Sequence, residues 1–518
     1  MNSIGYSIRR WVRHGSTYLR SPKTLVPLSA AFSVAVLYAV WIALSAERGV
    51  APVSLPTMIF VSVLSMAAAL SWPRTLWRIF IALLPMELTV FAVLSPIEIS
   101  VRPYQVIGAA LFFATIIRHG HRLRWQHLRL PDMAVILWVT GSILAAVVSH
   151  RPEAVDAVVS SALWYTLARI YVHKARDVRE ALQAVLSGAV VVMIIAIGQV
   201  VSGATLMDAR AHGTFPEPNW LGLYAATIVA LALAALMVKR RRNTRRVMAV
   251  VLTLSMTALI LSVTRSAWLA AGTALVVGIY LHYRYGDRTQ WRELWQLPVT
   301  ALIVAVAAGV MLSDFSLSDR VRSLTDGTQT ITVACDTPDA AKTLPSHIAT
   351  VEELASTGCR HIRLQDRDSL RAQGMIIHTV RRNDPSIGTR QEIYHTVADT
   401  LRSDPIRSML GWGFGGIDLG RDARGTTLNS SNLFIEALIG GGILGAVGIG
   451  VLWGWAMSAI ARTVRHVRKR RSYAIPMNAA LIAVFIGNLF NAGIFLAFPW
   501  VLLGVAVAIV PTRFHQHL

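Results

Sequence analysis

Three arginines in separate polar segments are the residues of this chain best suited to bind an anion. Arg210 lies in the segment Asp208–Asn219, Arg265 lies in a tight turn between two apolar segments, and Arg390 begins a helical pattern in a long polar segment. A guanidinium group binds phosphate oxygens through paired hydrogen bonds, so three of them on one side of a membrane would suit a diphosphate. Other interpretations stay open: Arg265 could extend to lipid headgroups, as arginines near helix ends do, and the Arg210 segment could be an ordinary loop.

Hydrogen-bonding and glycine-rich segments accompany these arginines along the chain. Asn219 follows Pro218 at a predicted helix start, which is consistent with capping. Gly413 and Gly415 belong to a glycine-rich run, which lets the backbone approach a ligand or another helix closely. Asn432 opens a further predicted helix rich in small residues, and the polar cluster at its mouth is a place for a substrate head to dock.

The elements that must position these residues are apolar segments long enough to cross a bilayer. The chain is 54% hydrophobic and 15% charged, whereas soluble domains are about 25% charged. Apolar blocks lie near 25–45, 52–71, 76–96, 103–117, 131–149, 154–172, 180–202, 218–238, 247–263, 266–282, 297–312, 431–460 and 475–510. The last block is long enough for a hairpin. The sequence therefore predicts an all-α polytopic membrane protein with about 12 to 14 transmembrane helices, each of roughly 20 residues.

Basic residues indicate how this bundle is oriented. The formal net charge is +22, and the basic runs at 239–246, 284–292 and 462–471 fall on one side when the N-terminus is placed inside. Both termini are then predicted to face the cytoplasm, in a multi-pass protein of the inner cell membrane whose partner is the bilayer. Because such runs serve topology and contact anionic headgroups, we expect no nucleic-acid partner.

The same orientation predicts the domains. They are a basic cytoplasmic tail (1–24), a transmembrane bundle (25–312), an extracytoplasmic loop domain (313–430), C-terminal transmembrane helices (431–510) and a cytoplasmic tail (511–518). The loop domain contains both cysteines, Cys335 and Cys359. A disulfide is permitted on that side of the membrane, and both a pair and two unpaired thiols stay open. No ligand spacing of the metal-site type is visible, so we expect neither a metal nor a cofactor.

Five motifs, taken in their order along the chain, resemble the O-antigen ligase and Wzy-type polymerase superfamily. They are Arg-x-x-Gly-Thr-Phe-x-x-Pro-Asn from Arg210, Thr-Arg-Ser-Ala-Trp around Arg265, a helix beginning near Arg390, Gly-x-Gly-Phe-Gly from Gly411, and Asn-x-x-Ile from Asn432 leading to Gly-Ile-Leu-Gly. The resemblance runs from about residue 200 to 450.

The resemblance implies a metal-independent glycosyltransferase at the outer face of the cytoplasmic membrane. The donor would be a glycan on a polyprenyl diphosphate such as undecaprenyl diphosphate. The acceptor would be a sugar hydroxyl on a lipid-linked glycan or a lipid core, as in the assembly of surface polysaccharide. Arg210, Arg265 and Arg390 would stabilise the charge on the leaving diphosphate. Other membrane proteins of polysaccharide assembly are further partners that the resemblance implies.

One position departs from the ligase pattern. Ligases of this group have a histidine directly before the asparagine that opens the late helix, and here that position is Ser431. Serine is a poor general base, although Ser431 and Asn432 could still hold the acceptor by hydrogen bonds. The alternative proton acceptors are side chains of the outer segments: His212, His395, Glu217 and Glu392. The departure favours a polymerase or a diverged relative, and polymerase versus ligase stays open.

Two functions of other classes also stay open. A transporter of a small solute or of a lipid-linked glycan would carry broken helices near the bilayer midplane, often in matching halves. The sequence has no internal repeat, and its polar groups cluster at one face. A structural membrane protein would instead bind a partner through residues 313–430.

Overall fold

The computed structural model describes most of the chain. The described residues are 50–52, 55–87, 90–93, 99–119, 128–151, 155–203, 210–237, 242–285, 291–312, 327–348, 353–354, 357–362, 367–383, 385–420 and 428–510. The apolar block predicted at 25–45 and the two predicted tails lie outside them.

Long helices make up the apolar part of the described chain. In the first part these are α1 (Leu55–Ser71), α2 (Pro73–Leu83), α3 (Pro103–His119), α4 (Leu130–Ser149), α5 (Val155–Tyr171), α6 (Ala175–Ser202), α7 (Pro218–Leu236), α8 (Arg242–Leu261), α9 (Arg265–Tyr285) and α10 (Trp291–Leu312). Shorter or more polar helices follow in the long loop: α11 (Pro338–Thr343), α12 (Arg367–Ala372), α13 (Pro385–Ser403) and α14 (Pro405–Leu410). The last three are α15 (Leu433–His466), α16 (Arg471–Asn488) and α17 (Ala497–Ile509).

Six helices among the described residues are long and apolar enough to cross a membrane. They are Leu130–Ser149, Ala175–Ser202, Pro218–Leu236, Thr244–Leu261, Arg265–Tyr285 and Leu433–His466. Four shorter apolar helices accompany them: Met58–Ser71, Pro103–Arg118, Pro298–Leu312 and Ala497–Ile509. The predicted fold class, an all-α polytopic membrane protein, is confirmed. The number of 12 to 14 spans stays a prediction.

Helix α7 is the central helix of the bundle. Every residue from Leu221 to Leu236 is buried, and the sequence there is apolar on all sides of the helix, with no polar face. A helix of this kind is stable only where other helices cover it on all sides, and α8, α9 and α16 pack against it. The first turn of α7 therefore lies at the centre of one end of the bundle.

Helices α4 and α15 approach each other closely through glycines. A side chain on Gly141 would meet the Gly441 carbonyl oxygen at 2.5 Å, and one on Gly448 would meet the Ala134 carbonyl oxygen at 2.7 Å. Small residues of this kind let membrane helices pack backbone against backbone. They fix α15, whose first residues carry the polar cluster singled out in the sequence.

A small three-stranded sheet corrects one predicted span. The block 76–96 is not a single helix, because α2 ends at Leu83 and strand β2 (Val90–Val93) follows it. β2 pairs in parallel with β1 (Val50–Pro52) and in antiparallel with β3 (Ile99–Val101). The β-branched and aromatic residues of this stretch suit a strand as well as an apolar helix, and hydropathy alone does not separate the two.

A four-stranded sheet lies in the long loop, where the sequence predicted a small domain without assigning strands. The strands are β4 (Thr328–Cys335), β5 (His347–Ile348), β6 (Cys359–His361) and β7 (Ile376–Asn383), in the order β5-β7-β4-β6. Cys335 and Cys359 stand opposite each other in the antiparallel β4–β6 pair and form a disulfide. The bond joins the two strands at one edge of the sheet.

Candidate functional site

Arg210 connects the loop of residues 210–217 to the turn between α8 and α9. Its Nε donates to the Ser262 carbonyl oxygen at 2.9 Å, and its Nη2 donates to Asn219 Oδ1 at 2.9 Å and to Thr264 Oγ1 at 3.0 Å. The side chain is half-buried. These three acceptors are neutral oxygens, and they fix the orientation of the guanidinium.

The start of α7 differs from the predicted cap. Glu217 is the N-cap residue, Pro218 is the first helical residue and Asn219 is the second. Proline suits the first position because its fixed φ is already helical and its missing N–H has no helical partner there. Asn219 therefore does not cap the helix, and its Oδ1 instead accepts from Arg210 and, at 3.4 Å, from Thr264 Oγ1.

His212 is held inside the same loop by Gln199 of α6. Its Nδ1 lies 2.9 Å from the Phe215 carbonyl oxygen, which can only accept, so Nδ1 carries the proton. Its Nε2 then accepts from Gln199 Nε2 at 3.1 Å. Burial lowers the pKa of the His212 imidazole below its usual range. Both ring nitrogens are therefore used, one by the loop and one by α6, which suits a structural role; the proton-accepting role of His212 stays a prediction.

The turn between α8 and α9 presents Arg265 at the start of a helix. Val263 has a φ of 49°, a conformation that is costly for a β-branched residue and persists only where the surroundings impose it. Thr264 accepts the hydrogen bond from the Nη2 described above, and Ser266 Oγ accepts from Asn491 Nδ2 at 3.1 Å. Half-buried Arg265 lies between these two anchored residues, at a helix start where the helix dipole adds positive potential.

Arg390 reaches the same end of the bundle from α13. Its Nη2 donates to the Phe490 carbonyl oxygen at 3.1 Å. The neighbouring carbonyl oxygen, of Leu489, accepts from Asn432 Nδ2 at 3.0 Å. Helix α13 is held there by an apolar cluster of buried residues from α13, the following loop and α15: Ile393, Val397, Ile417 and Ile439.

Residues 489–491 therefore connect the three predicted diphosphate ligands. Asn491 meets the Arg265 turn, Phe490 meets Arg390, and Arg210 meets the Arg265 turn directly. We call this end of the bundle, formed by residues 210–217, 262–266, 429–436 and 489–496 with Arg390 of α13 against them, the loop end. All three arginines lie there, although they come from distant parts of the chain.

The segment before α15 completes the loop end. Asn432 caps α15, because its Oδ1 accepts from the Phe434 and Ile435 N–H groups at 2.9 and 3.2 Å. Ser431 has a φ of 52°, a further strained position. Ser430 is fully buried, and both its N–H and its hydroxyl donate to Glu436 Oε2, at 3.0 and 2.7 Å. Asn432 thus positions the helix mouth with both ends of its amide.

A comparison with known protein families finds a match, and it includes part of the loop end. Residues 249–450 match the model of a family described as O-Antigen ligase. Over these residues the chain is similar to O-antigen ligases, and the match covers less than half of its length. The resemblance predicted from the motifs is confirmed, and it supports glycan ligation or polymerisation in a membrane by a glycosyl-transfer type of enzyme. A search of curated proteins finds no match.

The residues that match the O-antigen ligase model include Arg265, Arg390 and Asn432, whereas the Arg210 loop precedes them. The contacts of Arg210 with Ser262 and Thr264 therefore join a segment outside the matched residues to one inside them. In the described ranges, no three His, Cys, Asp or Glu side chains are grouped so that they could hold a metal ion.

The glycine-rich run meets α15 where that helix is broken. Helix α15 is broken at Gly442, which has a φ of 59°. The break frees the Ile439 carbonyl oxygen, and the Trp412 N–H donates to it at 2.8 Å. Gly413 lies against Ser149, and the Gly415 carbonyl oxygen accepts from Arg151. Gly413 is thus packed against α4, whereas an added Cβ at Gly415 would meet no atom within 4 Å, and the roles of both glycines stay predictions.

The other predicted proton acceptors are His395 and Glu392 on α13 and Glu217 at the start of α7. His395 is exposed, and it follows Arg390 by five residues, so the two point about 140° apart around α13. Glu392 is exposed and points about 160° away from Arg390 by the same geometry. Glu217 is half-buried at the N-cap of α7, where its carbonyl oxygen accepts from Trp220.

Glu436 is the residue that sequence reasoning passed over. It lies in an apolar run, and a single carboxylate in the first turn of a helix is commonly explained by its favourable interaction with the helix dipole. The signal that was present is its spacing, because it falls one turn after Asn432 and six residues after Ser430. Its burial and its contacts with Ser430 are tertiary facts that spacing does not reveal.

Proposed function

We propose that the protein transfers a glycan from a polyprenyl-diphosphate donor to a sugar hydroxyl at the non-cytoplasmic face of the membrane. The observation that carries this proposal is the chain of contacts that gathers Arg210, Arg265 and Arg390 at the loop end, where the residues that match the O-antigen ligase model contribute two of them. A diphosphate leaving group requires cations when no metal is invoked, and arginine supplies them in a geometry that matches phosphate oxygens.

The orientation is supported by the opposite end of the bundle. Helix α9 runs from Arg265 to a last turn that contains Arg284, and α15 leads from Asn432 to the basic residues Arg468–Arg470. Helix α6 begins directly after Lys174. Basic residues concentrate on the cytoplasmic side of membrane proteins, which supports our assignment of the loop end, together with residues 313–430, to the non-cytoplasmic side.

The three arginines take different roles in this proposal. Arg265 and Arg390 contact the diphosphate and stabilise the charge that develops on it as the glycosidic bond breaks. Arg210 uses Nε and Nη2 to hold three protein oxygens, so we assign it to positioning the turn that presents Arg265. This divides the predicted diphosphate set into two binding groups and one positioning group.

The acceptor is placed beside Ser431. Asn432 uses its amide for the α15 cap and for Leu489, so it shapes the mouth of the helix. A glycan chain entering there would present its hydroxyl near the diphosphate-binding arginines. The serine at this position, together with the absence of the ligase histidine, favours polymerisation of glycan units over their ligation to a lipid core.

Cells that lack the protein provide the first test. The proposal predicts that lipid-linked glycan accumulates, and its length separates the two reactions: single repeat units indicate a polymerase, and full-length chains left on the lipid indicate a ligase. Arg265→Ala, expressed at wild-type amount, should reproduce the deletion. Normal glycan amount and length in the Arg265→Ala strain would contradict the proposal. Arg462→Ala, near the end of α15 opposite Asn432, is the control variant, and its expression in the deletion strain should restore normal glycan.

A further inference from the structure

A carboxylate is buried at the mouth of α15 with two neutral donors. Glu436 is 7% exposed, and its Oε2 accepts from the Ser430 N–H at 3.0 Å and from the Ser430 hydroxyl at 2.7 Å. An ionisable side chain within an apolar helix is costly, and such residues usually have a function. Within the described part of the chain, no donor reaches the second oxygen, Oε1.

Other carboxylates near the loop end are arranged differently. Glu87 is buried too, but Arg102 Nε lies 2.9 Å from its Oε2 and the Tyr104 hydroxyl donates to the same oxygen at 3.0 Å. A cation at this distance stabilises the charged form and makes a carboxylate a weaker base. Glu392 is exposed on the far side of α13. Glu436 therefore combines burial at the helix mouth with contacts from uncharged donors.

The position of Glu436 relative to the acceptor is fixed by the helix. It follows Asn432 by four residues, so both side chains lie on one face of α15, one turn apart. Ser431 and its strained backbone stand between Ser430, which contacts Glu436, and Asn432, which contacts Leu489. The carboxylate thus lies directly behind the turn beside which the proposed acceptor is placed.

We propose that Glu436 is the general base that accepts the proton of the acceptor hydroxyl, a role that rests on the proposed glycosyl transfer. The hydroxyl oxygen forms a bond to the anomeric carbon of the donor, and the bond from that carbon to the diphosphate oxygen breaks. The electron pair of the broken bond leaves with the diphosphate, beside Arg265 and Arg390. The proton of the hydroxyl moves to Glu436 Oε1, while Ser430 holds Oε2 and so fixes the direction of the carboxylate.

Glu436→Gln tests this role because it keeps the shape and the accepting oxygen. The amide oxygen can still accept both hydrogen bonds from Ser430, but the amide cannot take a proton. In proteoliposomes supplied with lipid-linked glycan extracted from cells that lack the protein, we expect transfer to fall about 100- to 10,000-fold, the usual contribution of a general base. Glu436→Asp keeps a carboxylate and should retain more transfer than Glu436→Gln. Asp399→Asn, an exposed carboxylate change on α13, is the matched control.

A structural role for Glu436 predicts a different pattern. It predicts wild-type transfer in Glu436→Gln, which would overturn the proposal. If Glu436→Gln lowers the melting temperature, Ser430→Ala decides, because it removes a hydrogen bond and keeps the base. We expect Ser430→Ala to stay within about tenfold of wild type, which is about 1.4 kcal/mol in the barrier, and a loss equal to that of Glu436→Gln would also overturn the role.

The same assay separates this inference from the function on which it rests. If the wild-type protein releases no polyprenyl diphosphate, the proposed glycosyl transfer fails. If the wild type is active, Arg265→Ala is inactive and Glu436→Gln is active, only the assignment of Glu436 fails.

Discussion

The two sides of the loop end use their polar groups in different ways. On the side of residues 199–219, Gln199, His212 and Arg210 direct their side chains to oxygens and nitrogens of the same loop and of the neighbouring turn. On the side of residues 429–436, Ser431 at positive φ lies between Ser430, which donates to the buried carboxylate of Glu436, and Asn432, which caps α15.

We infer from this difference that one side of the loop end supports the site and that the other takes part in the reaction. A network in which donors and acceptors satisfy one another is stable, but it offers a substrate little beyond shape. A strained backbone costs free energy, and so does a buried carboxylate with few hydrogen-bond donors. Such costs cluster where a protein acts on a ligand. We therefore interpret the 199–219 side as the frame that presents Arg265, and the 429–436 side as the place where the acceptor reacts.

The largest expected effect is the loss of glycan transfer when Arg390 is removed, compared with the loss when Arg210 is removed. Arg390→Ala should lower transfer about 100- to 1000-fold, the usual cost of removing one group that stabilises developing charge, with little change in melting temperature. Arg210→Ala should lower transfer and the melting temperature together, because it also removes three internal hydrogen bonds. Transfer assays and thermal unfolding in detergent measure both quantities.

The control for this comparison is Arg402→Ala, which removes an exposed arginine from the same helix as Arg390. It should leave both quantities near the wild-type values. Equal losses of melting temperature in Arg390→Ala and Arg210→Ala would remove the distinction between a frame and a reacting side.

A smaller effect is expected where the glycine-rich run supports the 429–436 side. An added Cβ at Gly440 would lie 2.2 Å from the Phe414 ring, which itself packs against Phe495 with ring centroids 4.7 Å apart. Gly440→Ala should therefore lower the free energy of unfolding by about 1 to 3 kcal/mol, as overpacking does. Gly454→Ala, in the same helix and with no atom within 4 Å of the added Cβ, is the control. Equal melting temperatures of the two variants would show that the run does not fix α15.

The smallest effect concerns pH and the 199–219 side. The pKa of His212 is lower in the folded protein than in the unfolded chain, because burial disfavours the imidazolium. The unfolded chain therefore binds the proton first, and stability is full above about pH 6.5 and falls as the pH drops below it. The melting temperature of the wild type should decrease over this range by more than that of His212→Gln. Parallel pH curves for the two proteins would contradict the buried, neutral histidine.

Hydropathy was a good guide to the helices and a poor one to the sheets. The predicted blocks at 218–238 and 266–282 correspond to α7 and α9, because a span needs a continuous apolar run and few other structures do. The strands of the long loop were not predicted, although Ile331 and Val333 alternate with Thr330 and Thr332 in the pattern of a half-buried strand. That alternation was present, but it stood inside a segment identified only by its polarity.

The candidate site was predictable where topology alone decides it. Alternating spans predict that Arg210, Arg265 and Arg390 share one membrane face, and the contacts bring them to one end of the bundle. The role of His212 was not predictable, because its two partners come from another helix and from a backbone carbonyl. Glu436 was missed for the same reason, since its partner is a buried serine in a turn.

Turnover by the purified protein in proteoliposomes tests the central claim most directly. The measurement is polyprenyl diphosphate released from extracted lipid-linked glycan, set against the gain in glycan length, for the wild type and for Arg265→Ala. The account predicts one diphosphate released for each glycan transferred by the wild type, and neither product from Arg265→Ala. Movement of intact lipid-linked glycan across the bilayer with no diphosphate released would contradict it and indicate a transporter.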